Sequence, residues 1–156
     1  MAKSGKANKT KRIVEELTVA YWAEMETVQN YIANSNNLDG VRAEEIKKAL
    51  ALDVAAEIGH AQMLAGRIRV LGGSIPGSMK FKATQKTLQP PKDSTDVVSV
   101  IKGVIDAEES AVAQYEKIVK LCEGVDYPTQ DLCITLMSDE QNHLREFRGF
   151  LKEYRK

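Results

Sequence analysis

Residues 50–71 read LALDVAAEIGHAQMLAGRIRVL. Leu50, Val54, Ala61, Leu64, Ile68 and Leu71 recur at intervals of three and four, the stripe of an amphipathic helix. Glu57 falls in the middle of that stripe, and His60 lies one turn later beside it. A carboxylate on a face bound for a core costs several kcal/mol unless it is paired or holds a metal. The last helical stretch repeats the pattern as Leu132, Leu136, Glu140, His143, Phe147, Leu151. The two Glu-x-x-His segments, Glu57 to His60 and Glu140 to His143, contain both histidines of the chain.

Two further helices carry one seam carboxylate each. The first, Ile13 to about Ser35, reads Leu17, Ala20, Glu24, Val28, Tyr31. The third starts after Pro90-Pro91, where Asp93, Ser94 and Asp96 offer N-terminal caps, and ends near Gly124. It reads Ile101, Val104, Glu108, Val112, Tyr115, Ile118, Cys122. The turn run Asn34-Ser35-Asn36-Asn37 with Asp39-Gly40 joins the first helix to a second from about Val41 to Leu71, which Gly72-Gly73 stops. The fourth begins at Asp126-Tyr127-Pro128 and runs to the C-terminus. Glu26 competes with Glu24, and Glu109 and Glu116 with Glu108. Tyrosine follows seven residues after both Glu24 and Glu108, and this correspondence selects those two.

The four seam glutamates share a level. Glu24 lies 16 residues before Gly40 and Glu57 lies 17 after it; Glu108 and Glu140 each lie 16 from Gly124. The spacings from Glu24 to Glu57 and from Glu108 to Glu140 are 33 and 32 residues, and the stretches Glu24 to Tyr31 and Glu108 to Tyr115 align. The chain reads as two echoing hairpins with a pseudo-two-fold site between them. No lysine or arginine falls in any seam to neutralise the cluster.

Residues 72–94 are long for a connection inside a compact domain. At about 3.3 Å per residue they reach roughly 70 Å, enough to return along a helix of about 45 Å and set the third helix parallel to the second. No stretch alternates at period two, so the fold class is all-α: a four-helix bundle of two antiparallel hairpins joined by a long crossover. The 156 residues suffice for one domain, expected as a basic mobile arm over 1–12 and a bundle over 13–156. Basic and acidic side chains balance at 22 each, which excludes nucleic-acid binding by bulk charge. No apolar run is long enough for a membrane span, no secretory signal follows the basic start, and Cys122 and Cys133 read as core thiols. A cytoplasmic location is expected.

Hard carboxylates with imidazole suit iron or manganese, and four negative charges neutralise two divalent ions. The bland reading makes Glu57–His60 and Glu140–His143 ordinary helical pairs on a solvated face, and Tyr31 and Tyr115 core aromatics. One glutamate from each of two helices, with Glu-x-x-His from the other two, is the ligand set of ferritin-like di-iron carboxylate sites. On this set, on Glu57-Ile58-Gly59-His60-Ala61 running into Leu71-Gly72-Gly73, and on Asp139-Glu140-Gln141-Asn142-His143-Leu144, the chain resembles the ferritin superfamily. Bacterioferritin and its short, Dps-sized relatives are the nearest likeness, over about residues 13–153.

The resemblance implies two iron ions per subunit, with Glu24 and His60 on one, Glu108 and His143 on the other, and Glu57 and Glu140 bridging. It implies a ferroxidase that oxidises Fe(II) with O₂ or H₂O₂ and stores the product in a homo-oligomeric shell. Two departures matter. The methionine that holds haem in bacterioferritin is Ile58 here, so haem is not expected at the usual two-fold. The chain also ends 13 residues after His143, which favours a shell of about twelve over twenty-four. Two rivals remain. A Dps-type DNA protector would clasp phosphates with Lys3, Lys6, Lys9, Lys11 and Arg12, although a solvated tail is favoured. A rubrerythrin-like peroxidase lacks its four-cysteine iron site here.

Overall fold

The computed structural model describes residues 2–155, with side chains from residue 7 onward. Among these residues there are four α-helices: α1 (Ala2–Asn37), α2 (Glu44–Val70), α3 (Val97–Cys122) and α4 (Tyr127–Tyr154). Single 3₁₀ turns stand at Val41–Ala43 and Ser78–Lys80. Among the described residues there is no strand, and no helix is long and apolar enough to cross a membrane.

α1 and α2 form one antiparallel hairpin, α3 and α4 the other, and α1 packs on α3. The hairpin turns close on Gly40 and Gly124, and Gly72 lies just beyond the end of α2; all three take positive φ, at 91°, 65° and 83°. Asp96 and Asp126 cap α3 and α4 by accepting from Ser99 N and Thr129 N. Arg67 near the end of α2 reaches the start of α4, donating to Asp126 at 2.8 Å and Thr129 at 2.7 Å. At the other end Arg42 donates to Tyr154 O at 2.9 Å, and the Tyr154 hydroxyl donates back to Arg42 O. These two ties set α2 antiparallel to α4, so α3 runs parallel to α2 as the crossover length requires.

The first helix starts earlier than the sequence led us to expect. Helical hydrogen bonding runs back to Ala2 rather than beginning at Ile13. Nothing in residues 2–12 breaks a helix as proline would, and alanine and lysine propagate one well. Ile13 is nevertheless the first buried apolar residue of α1 among the described side chains, so the core begins where the apolar periodicity does.

The crossover is fixed to the bundle by polar groups. Glu26, fully inside, accepts hydrogen bonds from Thr84 N at 2.8 Å, Thr84 Oγ1 at 2.9 Å and Gln85 N at 2.9 Å. Asn34 donates to Leu88 O at 2.9 Å, and the Leu88 side chain enters the core. The strap then passes so close to α3 that a Cβ on Gly103 would lie 2.4 Å from Thr87 O. Gly103→Ala therefore forces backbone apart and should cost about 2 kcal/mol. Gly66→Ala on the exposed side of α2, where a Cβ meets nothing within 4 Å, should stabilise slightly. Urea unfolding of the two variants checks this; equal midpoints would contradict the tight crossing.

The interior divides into two apolar clusters. One gathers Tyr31, Leu50, Leu88, Ile101, Val104 and Phe147; the other gathers Leu17, Leu64, Ile68, Tyr115, Ile118 and Leu136. Cys122 and Cys133 belong to the second as free thiols, which burial pushes up to about 11 and about 12. Between the clusters lies a polar layer.

Candidate metal centre

That layer holds Glu24, Glu57, His60, Glu108 and Glu140, all buried, with the side chain of His143 at 14% exposure. Two groups of side chains each offer ligand atoms within 4.8 Å of one another: Glu24, Glu57, His60 and Glu140 in one, and Glu57, Glu108, Glu140 and His143 in the other. Glu57 and Glu140 are common to both.

The histidines face the shared carboxylates. His60 Nδ1 lies 2.9 Å from Glu140 Oε1 and 3.5 Å from Glu57 Oε2. His143 Nδ1 lies 3.1 Å from Glu140 Oε2 and 3.3 Å from Glu57 Oε1. Their rings stack with centroids 6.4 Å apart. Behind each ring stands an aspartate of the opposite helix: Asp139 Oδ2 at 3.5 Å from His60 Nε2, and Asp53 Oδ1 at 3.8 Å from His143 Nε2. Such carboxylates orient imidazoles that bind metals. The tyrosines also cross the pseudo-two-fold. Tyr31 donates to Glu108 Oε1 and Tyr115 donates to Glu24 Oε1, each joining one hairpin to the other.

Protons hold the cluster together electrostatically. Burial, reinforced by Glu57, raises the Glu24 carboxyl to about 8, and burial likewise drives Glu108 well up. Glu57 moves the other way: burial opposes its ionisation, but Glu24, His143 and His60 beside it outweigh that. Burial disfavours charge on His60 too, yet Glu140, Glu24 and Glu57 raise it to about 12; Glu108, Glu140 and Glu57 raise His143 in the same way. Burial and the nearby carboxylates lift both tyrosines far above their usual range, so they stay phenols and donate.

The donor set fits hard or borderline cations. Glu57 Oε1 is buried without a hydrogen-bond partner, an acceptor that a cation would satisfy. Divalent ions need neutral imidazole and ionised carboxylate, so their binding must displace protons from Glu24, Glu108, His60 and His143. Affinity should therefore rise with pH, steeply below about 8 where Glu24 keeps its proton. We expect Zn(II) added to weakly buffered protein near neutral pH to release several protons per chain. Release of fewer than one would contradict this charge state.

A ferritin-like domain model matches residues 14–156, nearly the whole chain. The chain belongs to the ferritin-like family. Two curated relatives match most of the chain. The DNA protection during starvation protein of Pyrococcus furiosus is 27% identical over 143 residues, covering 90% of this chain and 77% of its own. Bacterioferritin of Desulfovibrio desulfuricans is 24% identical over 139 residues, covering 88% and 73%. An X-ray structure of D. desulfuricans bacterioferritin superposes with a TM-score of 0.82 at 21% identity, over 96% of this chain and 84% of that one. A dodecameric thioferritin from Bacteroides fragilis superposes with a TM-score of 0.79 at 21% identity, over 93% and 87%.

Within this ferritin-like chain the competing glutamates have other partners. Glu26 holds the crossover, Glu109 pairs with Arg148 at 2.6 Å on the surface, and Glu116 pairs with Lys120 at 2.6 Å. Tyr31 and Tyr115 are core aromatics with a second task, since their hydroxyls bind site carboxylates. Asp53 and Asp139 escaped the sequence reading. Asp53 had a signal, for it lies four residues before Glu57 and so on the same helical face.

Proposed function

We propose that the chain is a ferroxidase that binds two Fe(II) ions at this cluster and oxidises them to Fe(III) with O₂ or H₂O₂, for iron storage and detoxification. One observation carries the reading: two overlapping ligand groups share Glu57 and Glu140, which suits two bridged cations better than one. Glu24 and His60 complete one position, and Glu108 and His143 the other. Each Fe(II) gives up one electron. O₂ takes both electrons with two protons and leaves as H₂O₂, or H₂O₂ takes them with two protons and leaves as two waters. Carboxylate oxygens favour Fe(III) over Fe(II), so the ligand set drives the couple toward oxidation. The chain's own part is to hold both ions within reach of one oxidant, with Tyr31 and Tyr115 fixing the terminal carboxylates Glu108 and Glu24.

We read the working form as a homo-oligomeric shell of about twelve chains, a reading supported by the dodecameric relative. Protein loaded aerobically with Fe(II) and passed through size exclusion with light scattering tests both statements. Ferric iron should travel with an assembly of about twelve. Iron that separates from the protein, or a monomer that stays a monomer, would overturn the storage reading.

Haem at a two-fold contact is not part of this function. By the likeness to bacterioferritin a soft ligand would be required directly after Glu57; the residue there is Ile58, 40% exposed on α2, and it has no lone pair. Protein expressed with ample haem should lack an intense Soret band. Stoichiometric haem would direct attention to Met25 or Met63, which are also exposed.

A further inference from the structure

The carboxylate layer is approached differently from its two sides. Between α1 and α3, beside crossover residues 84–87, a cleft of about 370 Å³ descends to Glu24, Glu57 and Glu108. Its helical walls carry Ala20 and Ala23 on α1 and Ala107 and Ala111 on α3, with Thr27, Ser110 and Gln114 among them. Lys86 and Asp106 bring opposite charges to its lining above the glutamates at its floor. On the α2–α4 side there are ligands instead. The Asp139 side chain is 48% exposed, lies 3.5 Å from His60 Nε2 and is matched by Asp53 beside His143.

A hydrated divalent ion sheds water only where oxygen or nitrogen donors replace it; the alanines offer none, and polar groups between them are engaged with the protein, Gln85 donating to Thr27 Oγ1, Gln114 to Glu16 and Ser110 to Asp106 O. A small neutral molecule gains from the same walls. Resting on the ferroxidase reading, we propose that the alanine-walled cleft between α1 and α3 is the path by which dioxygen reaches the carboxylate cluster. Ferrous ions then enter past the donors of the α2–α4 side. The separation keeps oxidant and metal from competing for one entrance, and it brings dioxygen to the cluster between Glu24 and Glu108.

The cleft can be narrowed from either wall without touching a ligand, by Ala111→Leu on α3 or Ala23→Leu on α1. Two readouts are needed. Crystals of the metal-free full chain under xenon pressure report whether a small apolar gas settles in the cleft. Anaerobic Co(II) binding, followed by absorbance, reports metal entry by itself. We expect xenon density along the alanine wall of the parent and none in either variant. Co(II) should bind the variants at the parent rate and stoichiometry. Dioxygen-driven Fe(II) oxidation at limiting oxygen should fall roughly ten-fold, the effect of a constriction that adds about 1.4 kcal/mol to the barrier. The idea is overturned if xenon avoids the parent cleft, if oxidation is unchanged in a variant that excludes xenon, or if Co(II) entry slows as much as oxidation. The last result would make the cleft the metal's path. A parent protein that seats xenon and binds Co(II) but never oxidises iron would instead sink the ferroxidase reading, and the dioxygen path with it. A variant that melts well below the parent is replaced by its partner on the opposite wall.

Discussion

Glu57→Ala and Glu140→Ala are each expected to reduce rapid Fe(II) oxidation to the background rate while the far-ultraviolet helical signal is kept. Both carboxylates belong to both ligand groups, so losing either one degrades two metal positions at once. Helicity survives because the two apolar clusters on either side of the layer are untouched, and because removing one carboxylate relieves repulsion among the rest. Tyr31→Phe and Tyr115→Phe act more mildly. Each deletes one hydrogen bond to a terminal carboxylate and should slow oxidation by roughly ten-fold, the scale of losses behind a metal site. Stopped-flow absorbance of ferric product ranks the four variants. Oxidation at the parent rate in both alanine variants would remove the site assignment.

Metal loading is expected to raise thermal stability by several degrees. The metal-free layer buries four carboxylates and two imidazoles that remain tolerable only while protons cancel their charge. Two divalent ions replace those protons and satisfy Glu57 Oε1. Any ligand that binds only the folded state stabilises it, by about 2.7 kcal/mol at a hundredfold excess over Kd. For a chain of this length that is a rise of roughly 5–10 °C in Tm. Calorimetry with and without Zn(II), or with Fe(II) under anaerobic conditions, measures it. An unchanged midpoint at saturating metal would mean that the seam glutamates do not form a binding site.

Much of this was legible in the sequence for a specific reason. A buried carboxylate breaks the hydrophobic period, and four breaks at equal distances from two glycine turns cannot be spread over four unrelated surfaces. Glu24, Glu57, Glu108 and Glu140 therefore announced one layer, and the crossover length set the direction of α3. What periodicity could not reveal were partnerships across the bundle. Glu26 sits in the same stretch as Glu24, and only the path of the crossover separates a strap from a site residue. Asp139 precedes Glu140 and reads as an exposed neighbour until His60 of α2 is placed against it. The early start of α1 was missed because a helix end without a breaking residue leaves no mark once the core contacts stop.

A ferroxidase centre here requires two cations between Glu57 and Glu140. Anomalous diffraction at the iron edge, from crystals soaked anaerobically in Fe(II), tests this most directly. Two peaks are predicted inside each chain, about 3.5–4 Å apart as in two-metal sites. One should lie against Glu24 and His60, the other against Glu108 and His143, with Glu57 and Glu140 between them. A single peak, or iron found only on surface carboxylates such as Glu109 and Glu116, would contradict it.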